Sequence, residues 1–319
     1  MIRYLPRTAG KDDDGPGPDA RWIDLVDPTP EEVELVRTRF AIDVPALETL
    51  REIETSSRLR VDGDTLYMSA PLWAGATTDR WTIAPTGFVL TPDHVATVRY
   101  VELPAIDAVF DAVAATPEML PPEILVRLLE EVVDHAADHL ERASATVADA
   151  SQRIFFAEPE RRRRLSRKTR LLHDAMLEIG RANDRASRVR YMFLGIDRMA
   201  AFVMDRCQPR MEESVRERFE AVRHDIASLD EFETSLSGRV QLLQDAAAGF
   251  ISIEQNDVVK VLTVVSVVGV PPVLVVGIYG MNFHFMPELG WRYGYPYALV
   301  LCVLSVIVPL LWFKWRDWI

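Results

Sequence analysis

Gly280, Met281 and Asn282 stand directly after an uncharged run of 19 residues, Val261 to Tyr279. An asparagine side chain offers an amide carbonyl and an amide NH₂ and carries no charge. Groups of that kind hydrogen-bond a hydrated cation without stripping its water. Mg²⁺ dehydrates reluctantly and usually keeps several waters when bound. A ring of bare carboxylates would hold such an ion more tightly and slow its release, and conduction needs binding weak enough to let go. Asn and Gly also suit a helix C-terminus, so a cap and an ion contact can coexist at Asn282. At ordinary residue frequencies the triplet arises by chance in roughly a few per cent of chains this long. Its position, with Met286-Pro287-Glu288-Leu289 just beyond it, is far rarer.

On the helix that would end at this triplet, Asn256, Val259, Thr263, Ser266, Val270, Val273 and Gly277 share one stripe at three-to-four spacing. The polar members suit an aqueous lumen, and the apolar ones suit a constriction that gates by dewetting. Packing of small residues between helices uses the same pattern. His135 and His139 lie four apart beside Asp134 and Asp138. That spacing can hold a transition metal, but the segment lacks the glutamate of a His-Glu-x-x-His site, so it reads as a solvated helix face. His284 reads as a loop residue near the triplet. No nucleophile–base arrangement and no phosphate-binding glycine loop is visible, so no enzyme is expected.

The elements that must position these residues follow from the hydropathy pattern. Val261–Tyr279 and Tyr293–Phe313 are each long enough to cross a bilayer core. Pro271-Pro272, Gly269 and Gly277 suit the first to a place among other helices. The second is greasier and suits lipid. Lys260, Lys314 and Arg316 flank the outer ends of the pair, whereas the short connection has only Arg292 against Glu288. That bias puts both termini inside. Tyr279, Trp291, Tyr293, Tyr295 and Tyr297 form one aromatic belt, and Trp312, Trp315 and Trp318 the other. Met1 to Pro6 has no apolar stretch of the signal-peptide kind. Cys207 and Cys302 sit in such different settings that pairing is not expected, which fits a reducing compartment. The net charge of −12 argues against nucleic acid as a partner.

The charged body divides in two. Residues 1–120 read as an α/β domain. Residues 1–20 read as loop, Arg21–Leu25 as a strand, and Thr29-Pro30-Glu31-Glu32 as a capped helix start running to Phe40. Ala46–Ile53 reads as a short helix. Arg58–Val61, Thr65–Ala70, Thr82–Leu90 and His94–Leu103 read as strands, with a hairpin turn at Asp62-Gly63. Residues 121–257 read as a helical stalk, built from Pro121–Phe156, Glu160–Cys207 and a pattern from Met211 to Tyr279. At 1.5 Å per residue the last is about 100 Å long and enters the first span without a break. The spans are 258–279 and 295–313, joined by 280–294 and followed by a tail, 314–319.

The triplet, Met286-Pro287-Glu288-Leu289, Trp22-Ile23-Asp24-Leu25, 248–256 (Ala-Gly-Phe-Ile-Ser-Ile-Glu-Gln-Asn) and Gly294-Tyr295-Pro296 together resemble the CorA family of magnesium channels. The resemblance covers most of the chain. It implies a homopentamer in the bacterial inner membrane, with first spans lining the pore and Gly280, Met281 and Asn282 at its outer mouth. It brings Leu262 into the constriction, and it places Val270 where the family often has methionine. It implies Mg²⁺ as transported and regulatory ion, with Co²⁺ and Ni²⁺ as secondary ions. The alternatives are a ZntB-like zinc transporter, whose loop usually departs from Met-Pro-Glu-Leu, and a non-conducting metal-sensing membrane protein. A pentamer of such acidic chains would repel itself, and Mg²⁺ between facing carboxylates would offset that. Glu220, Asp225 and Asp230 on the stalk are the candidates. Arg161–Arg164 departs from the acidic character of the family at this place and is expected to meet anionic headgroups.

Overall fold

The computed structural model describes residues 1–6, 17, 19–52, 54, 58–75, 82–116, 118–156, 165–207, 211–281, 284, 286–316 and 318. Arg161–Arg164, Asn282 and nearly all of the acidic stretch around Asp12 lie outside them. The chain forms two compact units. The first contains Met1–Ala157 and Asp174–Leu243, and the second Glu158–His173 and Gln244–Ile319.

The first unit is built on six strands: β1 (Ile2–Leu5), β2 (Trp22–Val26), β3 (Leu59–Asp62), β4 (Thr65–Ala74), β5 (Thr82–Leu90) and β6 (Val95–Arg99). Their order is β1-β2-β6-β5-β4-β3. β2 and β6 run parallel and every other pair is antiparallel. β1 corrects the expectation of a loop over residues 1–20. Its four residues form an edge strand only because β2 supplies the ladder, with Ile2 opposite Leu25 and Leu5 opposite Trp22. The β3–β4 turn is the expected hairpin, with Gly63 at φ +59 and Asp62 paired to Thr65.

Alternation along the central strands assigns their faces. Ile23, Leu25, Val89, Ala96 and Val98 pack with Val36 and Phe40 of α1 (Pro30–Phe40) and with Leu50 of α2 (Leu47–Leu50). Thr29 and Glu32 close the expected capping box at the start of α1. On the opposite face Trp22 meets Phe110 of α3 (Pro104–Ala114), with ring centroids 5.0 Å apart. The α3 helix is a further element beyond those expected. Pro104 opens it, and Ile106, Val109, Phe110 and Val113 are its buried stripe.

Three long helices follow: α4 (Pro121–Phe156), α5 (Leu165–Cys207) and α6 (Glu213–Tyr279). Their buried residues repeat at alternating steps of three and four. On α5 these are Leu172, Ala175, Ile179, Ala182, Ala186 and Val189, and on α6 Val215, Phe219, Val222 and Ile226, then, past the half-buried Leu229, Glu233, Leu236 and Val240. A repeat averaging 3.5 residues is the seam of coiled-coil packing. Ion pairs lace the seams, with Arg153 to Glu178, Arg218 to Glu130 at 2.6 Å and Arg223 to Asp197 at 2.8 Å. Gly195 of α5 has no side chain because Pro71 of β4 leaves none room, since a Cβ there would stand 2.8 Å from the proline Cδ.

In the second unit α6 continues through Pro271 and Pro272 to Tyr279. A 3₁₀ turn (Pro287–Gly290) and α7 (Gly294–Trp315) complete it. The most apolar 18-residue windows of α6 and α7 are 0% and 6% buried. These helices are therefore not the buried core of a soluble fold.

Candidate functional site

Within the apolar part of α6, the half-buried residues Thr263, Val264, Val268, Pro271, Pro272, Val275 and Tyr279 follow one helical stripe. On α7 the corresponding stripe is Gly294, Ala298, Leu301, Ser305, Pro309 and Phe313. The rest of α6 is open. Val259, Leu262, Val270 and Val273 are 57–72% exposed, and Asn256, Ser266 and Gly277 are exposed as well. Seven of the eight residues singled out on this helix therefore lie on a face that one chain leaves uncovered. Thr263 stands at its edge.

The hydroxyls on α6 are already committed as donors. Thr263 Oγ1 donates to Val259 O at 2.8 Å, and Ser266 Oγ to Leu262 O at 2.9 Å. Such bonding back to the preceding turn leaves the oxygen lone pairs outward, so toward water each side chain is an acceptor. The helix stops at Gly280. Its N–H donates to Val276 O at 2.9 Å, and Met281 N–H donates to Ile278 O at 3.3 Å. Met281 is 47% exposed.

The connection beyond is held by backbone close approach. Glu288 O lies against the Gly294 Cα, where any Cβ would collide. Trp291 packs on Tyr297 at 6.0 Å. Gly294 of the Gly-Tyr-Pro segment is thus required by the loop that carries the triplet. At the other end of α7, Phe313 is buried against Trp318 at 5.6 Å.

The stalk carboxylates differ among themselves. Glu220 takes a hydrogen bond from Arg216 Nη1 at 2.5 Å, and Asp230 pairs with Arg190 Nε at 3.0 Å. Arg190 also bonds Glu233, which is buried and accepts from Ser237. Asp225 is exposed and makes no ion pair among the described residues. A divalent ion at Glu220 or Asp230 would have to displace an arginine of the same chain. The structure does not gather the three into one cluster, and no group of three or more potential metal ligands occurs among the described residues.

His135 and His139 are not a solvated face. His139 stacks on Trp73 with centroids 4.3 Å apart, and both histidines line a cavity of about 240 Å³ with Asp138 and Arg142. Burial pushes the His139 ring down to about 4, helped by Arg142, His135 and Arg185 against the opposing Asp138. The two arginines disfavour a metal ion as well. The unfolded chain binds a proton near pH 6.5 and the folded chain near 4. Stability from the neutral ring is thus complete above about pH 6.5 and is lost as pH falls toward 4. His139→Phe should flatten the fall in melting temperature between about pH 7 and pH 5. A variant with the parent's slope contradicts this.

Asp24, inside the Trp-Ile-Asp-Leu segment, is fully buried and anchors a polar network that the sequence reading did not resolve. It accepts from Thr97 Oγ1 at 2.7 Å, Arg99 Nη2 at 2.9 Å and Arg3 Nε at 2.9 Å. A charged residue inside an apolar strand was the available signal.

The profile of the family described as "CorA-like Mg2+ transporter protein" matches residues 18–315. The chain is 31% identical over 309 residues to the magnesium transport protein CorA of Mannheimia succiniciproducens, covering 94% of this chain and 92% of that one. It is 32% identical over 302 residues to the magnesium transport protein CorA of Yersinia pestis, covering 93% and 92%. Its fold matches the complete structure of the CorA magnesium transporter from Methanocaldococcus jannaschii with a TM-score of 0.75, at 19% identity over 96% and 94% of the two chains. The full-length CmaX protein matches with a TM-score of 0.63, at 15% identity over 95% and 89%. With its α/β sheet, its long helices and its two candidate membrane spans, and with the family profile matched over residues 18–315, the chain belongs to the family of CorA-like Mg²⁺ transporter proteins.

Proposed function

We propose that the chain is one subunit of a pentameric Mg²⁺ channel in the bacterial inner membrane, with both termini in the cytoplasm. The observation that carries this is the uncovered face of α6 leading to Gly280, Met281 and Asn282. Two helices per chain cannot enclose a pore, so that face needs copies of itself. Asn256, Thr263 and Ser266 offer acceptors to hydrated ions, and Val259, Leu262, Val270, Val273 and Gly277 form the dewetting constriction. Asn282 holds the hydrated ion at the outer mouth. Co²⁺ and Ni²⁺ follow as secondary ions. The relatives are magnesium transport proteins, which supports Mg²⁺ over Zn²⁺. The chain needs no organic cofactor, binds no nucleic acid and catalyses no reaction. The functional parts are a cytosolic α/β domain (1–120), a stalk (121–257), the pore helix (258–279), the periplasmic loop (280–294), an outer span (295–313) and a tail (314–319). Growth rescue of a strain lacking its Mg²⁺ uptake systems tests the activity. The purified particle should have five times the 36.1 kDa chain mass, and a monomer or dimer refutes the pore.

Cytosolic Mg²⁺ closes the channel by bridging carboxylates between stalks, with Glu220, Asp225 and Asp230 as ligands. When Mg²⁺ falls, the stalks splay and α6 carries the movement to the span. Within a chain, solvent-screened pairs such as Arg216–Glu220 contribute little to stability, so a bridging ion can displace them. The triple variant Glu220→Gln, Asp225→Asn, Asp230→Asn should keep conducting at cytosolic Mg²⁺ levels that shut the parent. Closure at the parent's concentration would put the sensor elsewhere.

A further inference from the structure

The first unit carries a groove of about 510 Å³ between strands β4 and β5 and helix α5. Its volume is within the range of small-molecule sites. Nothing in ion transport uses it. Arg51, Arg58 and Arg188 line it. A smaller cavity of about 50 Å³ shares Arg58, Ser69 and Tyr191 with it and adds Arg198. Four arginines thus converge from the segment after α2, the start of β3 and two turns of α5. The chain as a whole has 48 acidic and 36 basic residues, which makes this local excess of positive charge contrary to the overall composition. Among the described residues the lining has one carboxylate, Asp184, which already accepts from Arg188 Nε at 2.9 Å.

Arg58 is held in place before any ligand arrives. Its Nε donates to Glu52 O at 2.8 Å and its Nη2 to Tyr191 OH at 2.6 Å, with the guanidinium 5.5 Å from the Tyr191 ring. A guanidinium has five N–H donors in a planar fork, so donors remain for an anion. Ordering the fork in advance lowers the entropic cost of binding. The floor is apolar. Pro85 and Ile83 of β5 are half-buried there, whereas Pro71, paired opposite Pro85, is buried against Gly195 of α5. Prolines present no N–H, so this floor offers a flat apolar group a surface without competing donors. A multiply charged anion alone would use the arginines and leave the apolar surface of Pro85 and Ile83 unused.

We propose that this groove binds a nucleoside polyphosphate, with Arg51, Arg58 and Arg188 on the phosphates and the base over Pro85 and Ile83. Arginine is the side chain best matched to phosphate in this geometry. The groove lies wholly within the first unit, so its ligand is independent of the transport reading.

The test is isothermal titration of the full chain in lipid nanodiscs, in Mg²⁺-free buffer so that stalk carboxylates stay silent. ATP should bind, with affinity falling as salt rises. Pyrophosphate should bind at least about tenfold more weakly, a difference of about 1.4 kcal/mol, and adenosine should not be detected. Arg51→Glu, an exposed position that leaves the Arg58–Tyr191 bond intact, should weaken ATP by about tenfold or more. Arg37→Gln on α1, outside the groove, should bind ATP as the parent does. Absence of ATP binding overturns the proposal. So does pyrophosphate binding as tightly as ATP, which makes the groove an inorganic anion site. So does a changed particle mass in Arg51→Glu with ATP binding unaltered, which assigns the arginines to a second copy of the chain.

Discussion

Asp24→Ala is expected to destabilise the first unit by about 3–5 kcal/mol, the usual loss when one partner of a buried ion pair is removed. Asp24 is 0% and Arg99 2% exposed. Burial by itself would push the Arg99 guanidinium down. Hydrogen bonds and charge from Asp24, and then from Asp107, outweigh that and raise it. Arg99 Nη1 already has no hydrogen-bond partner, and Nη2 is shared between Asp24 at 2.9 Å and Asp107 at 2.6 Å. Without Asp24 a buried cation would keep only the half-exposed Asp107. Thr97 Oγ1 would lose its acceptor while still receiving the Trp22 indole N–H at 3.1 Å. The parallel pair β2–β6 would be weakened at its centre. The paired change Asp24→Leu with Arg99→Leu should cost clearly less than Asp24→Ala, because no fully buried charge is left behind and Arg3 keeps Asp107 at 2.7 Å. Urea unfolding followed by near-ultraviolet circular dichroism measures both. Equal losses would mean that the network contributes only shape.

Asn282→Asp should leave folding unchanged and slow Mg²⁺ passage by about tenfold or more, the effect of roughly 1.4 kcal/mol of tighter binding at the mouth. Five copies would place a ring of carboxylates where neutral amides stood. Mg²⁺ would be held harder and released later. Asn282→Ala should also lose flux, through loss of the amide contacts, but without tighter binding. Competition by a second divalent ion separates the two variants, since only the aspartate ring should raise apparent affinity as flux falls. Flux equal to the parent in Asn282→Asp would remove Asn282 from ion selection.

Much of the fold was legible because its signals are local. The capping box at Thr29 and Glu32, the Gly63 turn, the start of α4 at Pro121 and the uncharged runs are short patterns that tertiary contacts did not override. β1 was missed because four residues form a strand only when β2 offers a partner. α3 was missed for a different reason. Ile106, Val109, Phe110 and Val113 are correctly spaced, but the segment is short and follows a strand pattern that was carried on to Leu103, four residues past the observed end at Arg99. His139 was misjudged because its neighbour in space, Trp73, lies 66 positions away in the chain. The arginine groove was invisible for the same reason, since Arg51, Arg58, Arg188 and Arg198 meet only after α5 docks through Gly195 on Pro71. The shared face of the α6 stripe was readable because its residues lie on one continuous helix.

The most direct test of the channel reading is ion flux into liposomes containing the purified chain, read by an enclosed Mg²⁺-sensitive dye. Mg²⁺ should enter down its own gradient without a proton gradient, and Asn282→Asp liposomes should fill more slowly. Absence of Mg²⁺ flux, or uptake of Zn²⁺ alone and only with a proton gradient, would contradict the account.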